Sequence, residues 1–551
     1  MGRPWIARKA PARIGVGVLA VLALALAACG DDDSDSGDGG GGAGTTATSA
    51  AGAPSSGAPT SAAAAPDDVD PEGVLRIGMN FASSGGIKFD PTKQNSPAEF
   101  QVHYHVYDTL LRQKEDGTYA PGLATEAKIV DPNTIEVTLQ EGVTFQDGSR
   151  FDAEDVKATI ERNVASENTS PFRVSELSAV GTIDVDSPTK LTIRLKTPTA
   201  GSFYNLLAHN ETMPLSKEAI DSGVDLNENP IGAGPFKFVS QDAQRIVFEK
   251  WDGYFQADEI KVAGVEWVQT DAQSVVTALR SHAIDVAFTT PDQNQQLEGS
   301  GIAVRSDTGP NNVFWTSFMC EVQPLLRNVQ VRRALNHAID REAINATLFA
   351  GKGAPMSQFW APGTDFYDPS LADMYPHDPE RARQLLAEAG QEGLALRIAA
   401  SPGQQQRAAE LVQAQFAEAG INLEIVTTTN FVQEVLLGTK ADLAQQPQNR
   451  FWTDKVTRVF MPGSVGTTCD PKDPVFTAMV ADLRAVDPSS PRAIDLWHRV
   501  SRYLQENAYG LFMVNGTNNN AWDGERVAGI AWTPNQVGQP YPDMHSVYVK
   551  R

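Results

Sequence analysis

Leu394-Ala395-Leu396-Arg397-Ile398-Ala399, a helical stretch over 405–419, and then Ile421-Asn422-Leu423-Glu424-Ile425-Val426 read as strand, helix and strand. Gly420 stands between helix and second strand, where a left-handed residue ends a helix. A unit of this kind predicts two parallel strands joined by a right-handed crossover, and hence an α/β sheet. In open parallel sheets ligands gather beyond the carboxyl ends of the strands, which makes Ser401-Pro402-Gly403-Gln404 a candidate cleft loop. An ordinary strand-to-helix turn explains the same four residues equally well.

Around this unit the chain is helix-rich, with stretches predicted over 328–350, 379–389 and 491–505. Asp378-Pro379 and Ser490-Pro491 each place a capping side chain before a first-turn proline, and Gly390 ends the second stretch. A second α/β lobe is therefore expected over about 309–509. Upstream the chain changes character. Strands are predicted at 74–79, at Thr134–Leu139 with Ile135, Val137 and Leu139 on one buried face, at 191–195 and at 245–250. Asp152 is expected to cap a helix running to about Asn163, with Glu154 and Asp155 in its positive first turn.

With 551 residues, 41% hydrophobic and 21% charged, most of the chain has the composition of a water-soluble globular protein. Lys and Arg total 45 against 68 Asp and Glu, a net charge of −23. Such a surface repels polyphosphates, and no basic run offsets it, so nucleic acid is not an expected partner. Residues 1–13 carry Arg3, Arg8, Lys9 and Arg13, residues 14–28 are apolar, and Leu26-Ala27-Ala28-Cys29 closes the stretch: the pattern of a secretory signal. Residues 30–68 are almost all Gly, Ala, Ser, Thr, Pro and Asp and read as a flexible tether. Gly39-x-Gly41-x-x-Gly44 has neither the preceding strand nor the following helix that a dinucleotide site requires, and Asp31-Asp32-Asp33 reads as a solvated acidic run.

Signatures of covalent chemistry are missing from the sequence. None of the eight histidines precedes Glu, and there is no Gly-x-Ser-x-Gly or Gly-Lys-Ser/Thr. His103-Tyr104-His105 reads as two imidazoles on one side of a strand, without a third metal ligand at sensible spacing. No cofactor is implied. Outside the cytoplasm, Cys320 and Cys469 form an isolated even pair within one predicted lobe and are expected to be bridged.

Two resemblances extend this reading. Leu26-Ala27-Ala28-Cys29 resembles the bacterial lipobox, which implies cleavage before Cys29, its lipidation, and anchoring at the outer face of the cell membrane. Pro121-Gly122-Leu123-Ala124, Thr134–Leu139, Gly142-Val143-Thr144-Phe145-Gln146-Asp147-Gly148 and Phe151-Asp152-Ala153-Glu154-Asp155-Val156 follow one another as in the peptide/nickel class of solute-binding proteins of ABC importers. Asn229-Pro230-Ile231-Gly232-Ala233-Gly234-Pro235-Phe236, His282-Ala283-Ile284-Asp285-Val286-Ala287 and Val331-Arg332-Arg333-Ala334-Leu335-Asn336-His337-Ala338-Ile339-Asp340-Arg341 are similar to further signatures of that class. The resemblance runs from about Val74 to the C-terminus.

That resemblance implies a two-lobed periplasmic-binding-protein-like α/β fold of the class II type, with an extra domain in the first lobe. Mapped here it gives a signal peptide at 1–28, a tether at 29–69, a first-lobe core from 70–108, 214–308 and 510–551, the extra domain at 109–213, and the second lobe at 309–509. Hinge crossings are expected at 307–315 and 505–514. It also implies a monomeric receptor that binds a peptide or other small polar solute, partners ABC permease subunits and performs no catalysis. An exported hydrolase, a sensor without transport, and nickel chelate or haem as cargo are the alternatives. The ligand is expected between Ser96, Pro97 and Phe100 on one side and Phe431, Gln448, Arg450, Phe451, Trp452 and Asp454 on the other. By position Gln448 and Phe451 replace the tryptophan and the amine-pairing aspartate of peptide-binding relatives. Trp452 and Asp454 stand close enough to take over those roles, and Arg450 suits an anionic ligand.

Overall fold

The structure is a computed structural model describing residues 68–81, 86–94, 97–114, 117–165, 175–308, 313–320, 322–428, 434–435, 439–448, 460, 473–534 and 540–551. Its larger sheet has seven strands, in the order Ile302–Asp307, Asn518–Asp523, Val286–Phe288, Val74–Met79, Gly264–Gln269, Arg245–Lys250 and Phe236–Gln241. Val74–Met79 is parallel to both neighbours, with Ile77 opposite Trp267 and Val286. Leu75, Ile77 and Trp267 are fully buried in the core of this first lobe.

A second sheet of six strands has the order Ala354–Pro355, Gly510–Asn515, Val313–Phe318, Leu443–Gln448, Ala395–Ala400 and Asn422–Thr427. The unit quoted first forms as expected: Ala395–Ala400 runs parallel to Asn422–Thr427 with Ile398 opposite Ile425, and the helix Gln404–Glu418 connects them. Gly403 (φ 99°) and Gly420 (φ 74°) take the left-handed conformations that a β-carbon disfavours. A third sheet is antiparallel, in the order Ala124–Asp131, Thr134–Leu139, Lys190–Leu195, Val180–Ser187. It buries Ile135, Val137 and Leu139 under the helix Ala153–Val164, which Asp152 and Asp155 close as a capping box.

The chain departs from the sequence reading in four places. The stretch 328–350 is two helices, Val329–His337 and Arg341–Phe349, because Asp340 accepts a 2.9 Å hydrogen bond from Ala343 N and starts a new helix. His103 and His105 lie on the helix Pro97–Val106, where residues two apart point to different sides, and not on a strand. Gly510–Asn515 pairs with Val313–Phe318 in the second sheet, so the return to the first lobe comes after 510. For the same reason the second crossing lies between Asn515 and Asn518, beyond the expected 505–514; the first runs from Asp307 to Val313, within 307–315.

Candidate functional site

Strand register places both crossings at the same end of each sheet. In the first, Ala287 pairs with Ala521 and Phe288 with Asn520, so Asn518 and its partner Asp307 lie beyond the carboxyl end of Val286–Phe288. That is also the end at which the parallel strand Val74–Met79 finishes. In the second, Val313 pairs with both Gln448 and Asn515, at the carboxyl end of Leu443–Gln448, which is parallel to Ala395–Ala400. The carboxyl edges of the two sheets are thus joined by two short crossings and turned toward each other, the position in which open α/β sheets bind ligands.

Buried polar groups without partners occur in both lobes. In the second lobe Gln445 is fully buried with both amide atoms unbonded, and Thr316, its register partner on the same face, has an unbonded hydroxyl. Gln404, which opens the helix after the Ser401-Pro402-Gly403 turn, has an unbonded side-chain nitrogen. In the first lobe Gln94, just before the helix Pro97–Val106, is fully buried with both amide atoms unbonded. A buried polar group left unpaired costs about 1–3 kcal/mol. Nothing in the sequence singled out Gln94, Thr316 or Gln445. Their polarity became conspicuous only once burial was known.

The residues expected from the sequence fall out unevenly. Pro97 opens its helix, and the Gln448 backbone pairs with Val313. Phe100 is buried with its ring edge-on to His209 at 5.5 Å, and its carbonyl accepts from Asn210 Nδ2 at 3.1 Å. Ser96, Phe431, Arg450, Phe451, Trp452 and Asp454 lie outside the described residues, as do Cys29 and Cys469. Cys320 is fully buried and disulfide-bonded.

His103 and His105 serve packing. His103 Nε2 lies 2.7 Å from the Lys88 carbonyl, and His105 stacks on Phe248 and meets Trp267 edge-on. Burial pushes both imidazoles down to about 4, so they are neutral at pH 7. Among the described residues no three His, Cys, Asp or Glu side chains gather in a metal-binding arrangement. The loop before the Pro97–Val106 helix is tied to the extra domain by Asp90, which accepts two hydrogen bonds from Arg162 at 2.8 and 2.7 Å. Burial opposes the Asp90 charge, but Arg162 and Thr92 together hold its carboxyl below the ordinary aspartate range.

The lobes also touch away from the crossings. The helix Ala200–Leu206, which packs on the four-stranded sheet, meets the helix Pro474–Ala485, which packs on Pro491–Glu506 in the second lobe. A β-carbon on Gly201 would stand 1.7 Å from the Val486 carbonyl oxygen, so only glycine admits this approach. Beside it Arg484 Nη2 lies 3.6 Å from the buried Glu176 carboxylate.

Two α/β lobes whose sheets are joined at their carboxyl edges by paired crossings have the architecture of a two-lobed solute-binding protein. The family model for bacterial extracellular solute-binding proteins, family 5 (middle region), matches residues 118–475, and the chain belongs to that family. The glutathione-binding protein GsiB of Salmonella paratyphi A is 29% identical over 381 residues, 67% of this chain and 72% of that protein. The substrate-binding protein CtaP of Listeria monocytogenes superposes with a TM-score of 0.75 at 21% identity, covering 88% of this chain and 100% of that one. DppA of Helicobacter pylori in complex with the peptide STSA gives 0.73 at 20% identity, covering 88% and 99%. These likenesses agree with the peptide/nickel class of ABC substrate-binding proteins that the motifs indicated.

Proposed function

We propose that this protein is a lipid-anchored receptor that captures a peptide-like or other small polar solute between its lobes, closes on it, and delivers it to an ABC permease without chemical change. The observation that carries this reading is the junction of the two sheets at their carboxyl edges by two short crossings. Water excluded on closure strengthens every hydrogen bond made to the solute there. GsiB, a glutathione-binding protein, and DppA, seen in complex with a peptide, support a peptide-like cargo.

In this reading Phe431, Phe451 and Trp452 supply flat apolar walls, and Arg450 and Asp454 set the charge preference of the ligand. Residues 70–108, 214–308 and the chain after Asn515 form the first-lobe core, 109–213 the extra domain, and 309–515 the second lobe. The protein acts as a monomer, held at the membrane through Cys29.

Calorimetric titration with glutathione, defined di- to pentapeptides and their N-acetylated forms tests the assignment. Stoichiometric binding of an unmodified peptide is the expected result; turnover of the added compound would instead favour the hydrolase. If Arg450→Ala, Trp452→Ala and Asp454→Ala all keep wild-type affinity with unchanged melting, these residues do not line the pocket.

A further inference from the structure

The first lobe contains a cavity of about 450 Å³ to which, among the described residues, the second lobe contributes no lining side chain. One wall is a continuous polar chain. Asp108 accepts from Arg112 Nη2 at 2.6 Å and from the Tyr254 hydroxyl at 2.8 Å; that hydroxyl lies 3.0 Å from His545 Nε2, and His545 Nδ1 lies 3.0 Å from Asp543 Oδ1. Trp532 and Met544, both buried, add apolar surface.

Each end of this chain keeps one atom uncommitted. Arg112 spends Nε on Asp108 and Nη2 on Asp108 and Tyr254, which leaves Nη1 with no hydrogen bond among the described residues. Asp543 spends Oδ1 on the His545 backbone N–H and imidazole, which leaves Oδ2 in the same condition. Both side chains line the cavity and stay accessible, Arg112 at 23% and Asp543 at 35%. Burial opposes the Asp543 charge, but the His545 imidazole and Arg112 hold its carboxyl below the ordinary aspartate range, so it is anionic at pH 7. Lys114 and Glu259, both exposed, bring a second pair of opposite charges to the cavity.

We infer that this cavity is a second ligand site, separate from the interlobe cleft, which takes a zwitterionic amino acid with an apolar side chain. Arg112 Nη1 offers N–H groups to a carboxylate, and Asp543 Oδ2 accepts from an ammonium; hydrogen bonds between ionised groups are the strong ones. A ligand with one charge falls short. A carboxylate alone would be repelled by Asp543, and an amine alone would leave the Arg112 N–H groups unused and face their positive charge. In an α-amino acid the two groups sit on one carbon, which suits partners that belong to one wall and stabilise each other's charge. Trp532 and Met544 suit the apolar side chain. The volume lies within the roughly 300–1,000 Å³ common for small-molecule sites. This inference stands whether or not the cleft binds peptides.

The test is a saturation-transfer NMR titration of the full chain with L-phenylalanine as probe, beside phenylpropionate, which lacks the ammonium, and phenethylamine, which lacks the carboxylate. Saturable binding of L-phenylalanine, with each analogue at least about tenfold weaker, is expected. Asp543→Asn keeps an acceptor for His545 while removing the charge, and should weaken L-phenylalanine at least about tenfold. If that variant does not fold, Arg112→Lys, which keeps a cation against Asp108 but lacks Nη1, takes its place with the same expectation. Trp452→Ala, in the proposed cleft, should leave L-phenylalanine binding unchanged. The inference is overturned if L-phenylalanine shows no saturable binding, if either analogue binds equally well, if the Asp543 or Arg112 variant retains wild-type affinity, or if Trp452→Ala abolishes binding.

Discussion

Gly201 is the position at which the interlobe contact is most exposed to a single substitution. A β-carbon there would meet the Val486 carbonyl oxygen at 1.7 Å, its carbon at 2.8 Å and the Arg484 carbonyl oxygen at 3.1 Å. These are backbone atoms, so no rotamer relieves the clash, and residues 484–486 must retreat by more than an ångström for Gly201→Ala to be accommodated. Within its own helix the change acts the other way: alanine is favoured over glycine in a helix by about 1 kcal/mol. Folding of the extra domain should therefore be preserved or improved while the contact between lobes is lost, and with it the Arg484–Glu176 pair. Overpacking of this kind costs about 1–3 kcal/mol; on the proposal that the lobes close over their ligand, the closed form bears that cost. Ligand affinity should drop roughly 5- to 150-fold, with an unliganded melting temperature at or above wild type. Calorimetry with the peptide or glutathione ligand that binds wild type measures the first effect, and small-angle scattering should show a larger radius of gyration for the liganded variant. Wild-type affinity together with a wild-type radius for both Gly201→Ala and Gly201→Leu would refute the reasoning.

Further outcomes concern stability and anchoring. His103 and His105 titrate near 4 in the folded protein against about 6.5 unfolded, so the stability they confer is complete above pH 6.5 and is lost as the pH falls toward 4. His105→Phe should remove its share, on the order of 2–3 kcal/mol at full loss, and flatten the melting curve between pH 6.5 and 4; an unchanged pH profile would contradict the burial argument. Cys29→Ser should leave the protein unprocessed or released into the medium, whereas normal cleavage with retained membrane attachment would exclude lipidation at Cys29. Pairing of Cys320 with Cys469 should contribute on the order of 4–5 kcal/mol by closing a long loop, and two reactive thiols in the denatured, unreduced protein would rule it out.

Local signals in the sequence were sufficient for the elements whose formation depends on near neighbours. Asp152, Asp378 and Ser490 cap helices where expected, because a cap needs only a side-chain oxygen and the N–H groups two or three residues on. The strand-helix-strand unit around Gln404–Glu418 was likewise legible, since its strands, its connecting helix and Gly420 all lie within one short stretch of chain. Failures came where distance along the chain mattered. His103 and His105 read as strand residues from spacing alone, yet both lie on a helix, and His105 is buried against Phe248 and Trp267, more than 140 residues along the chain. Gly510–Asn515 joined the second sheet because Val313–Phe318 offered it an edge, which no local pattern encodes.

By itself the sequence determined an acidic α/β chain with the motifs of a solute-binding family, because composition, motifs and capping are written residue by residue. Only the tertiary structure decided which polar side chains lack partners. Gln94, Gln113 and Gln445 are unremarkable glutamines in the sequence; burial removes their water, and only the arrangement of distant strands determines whether anything replaces it.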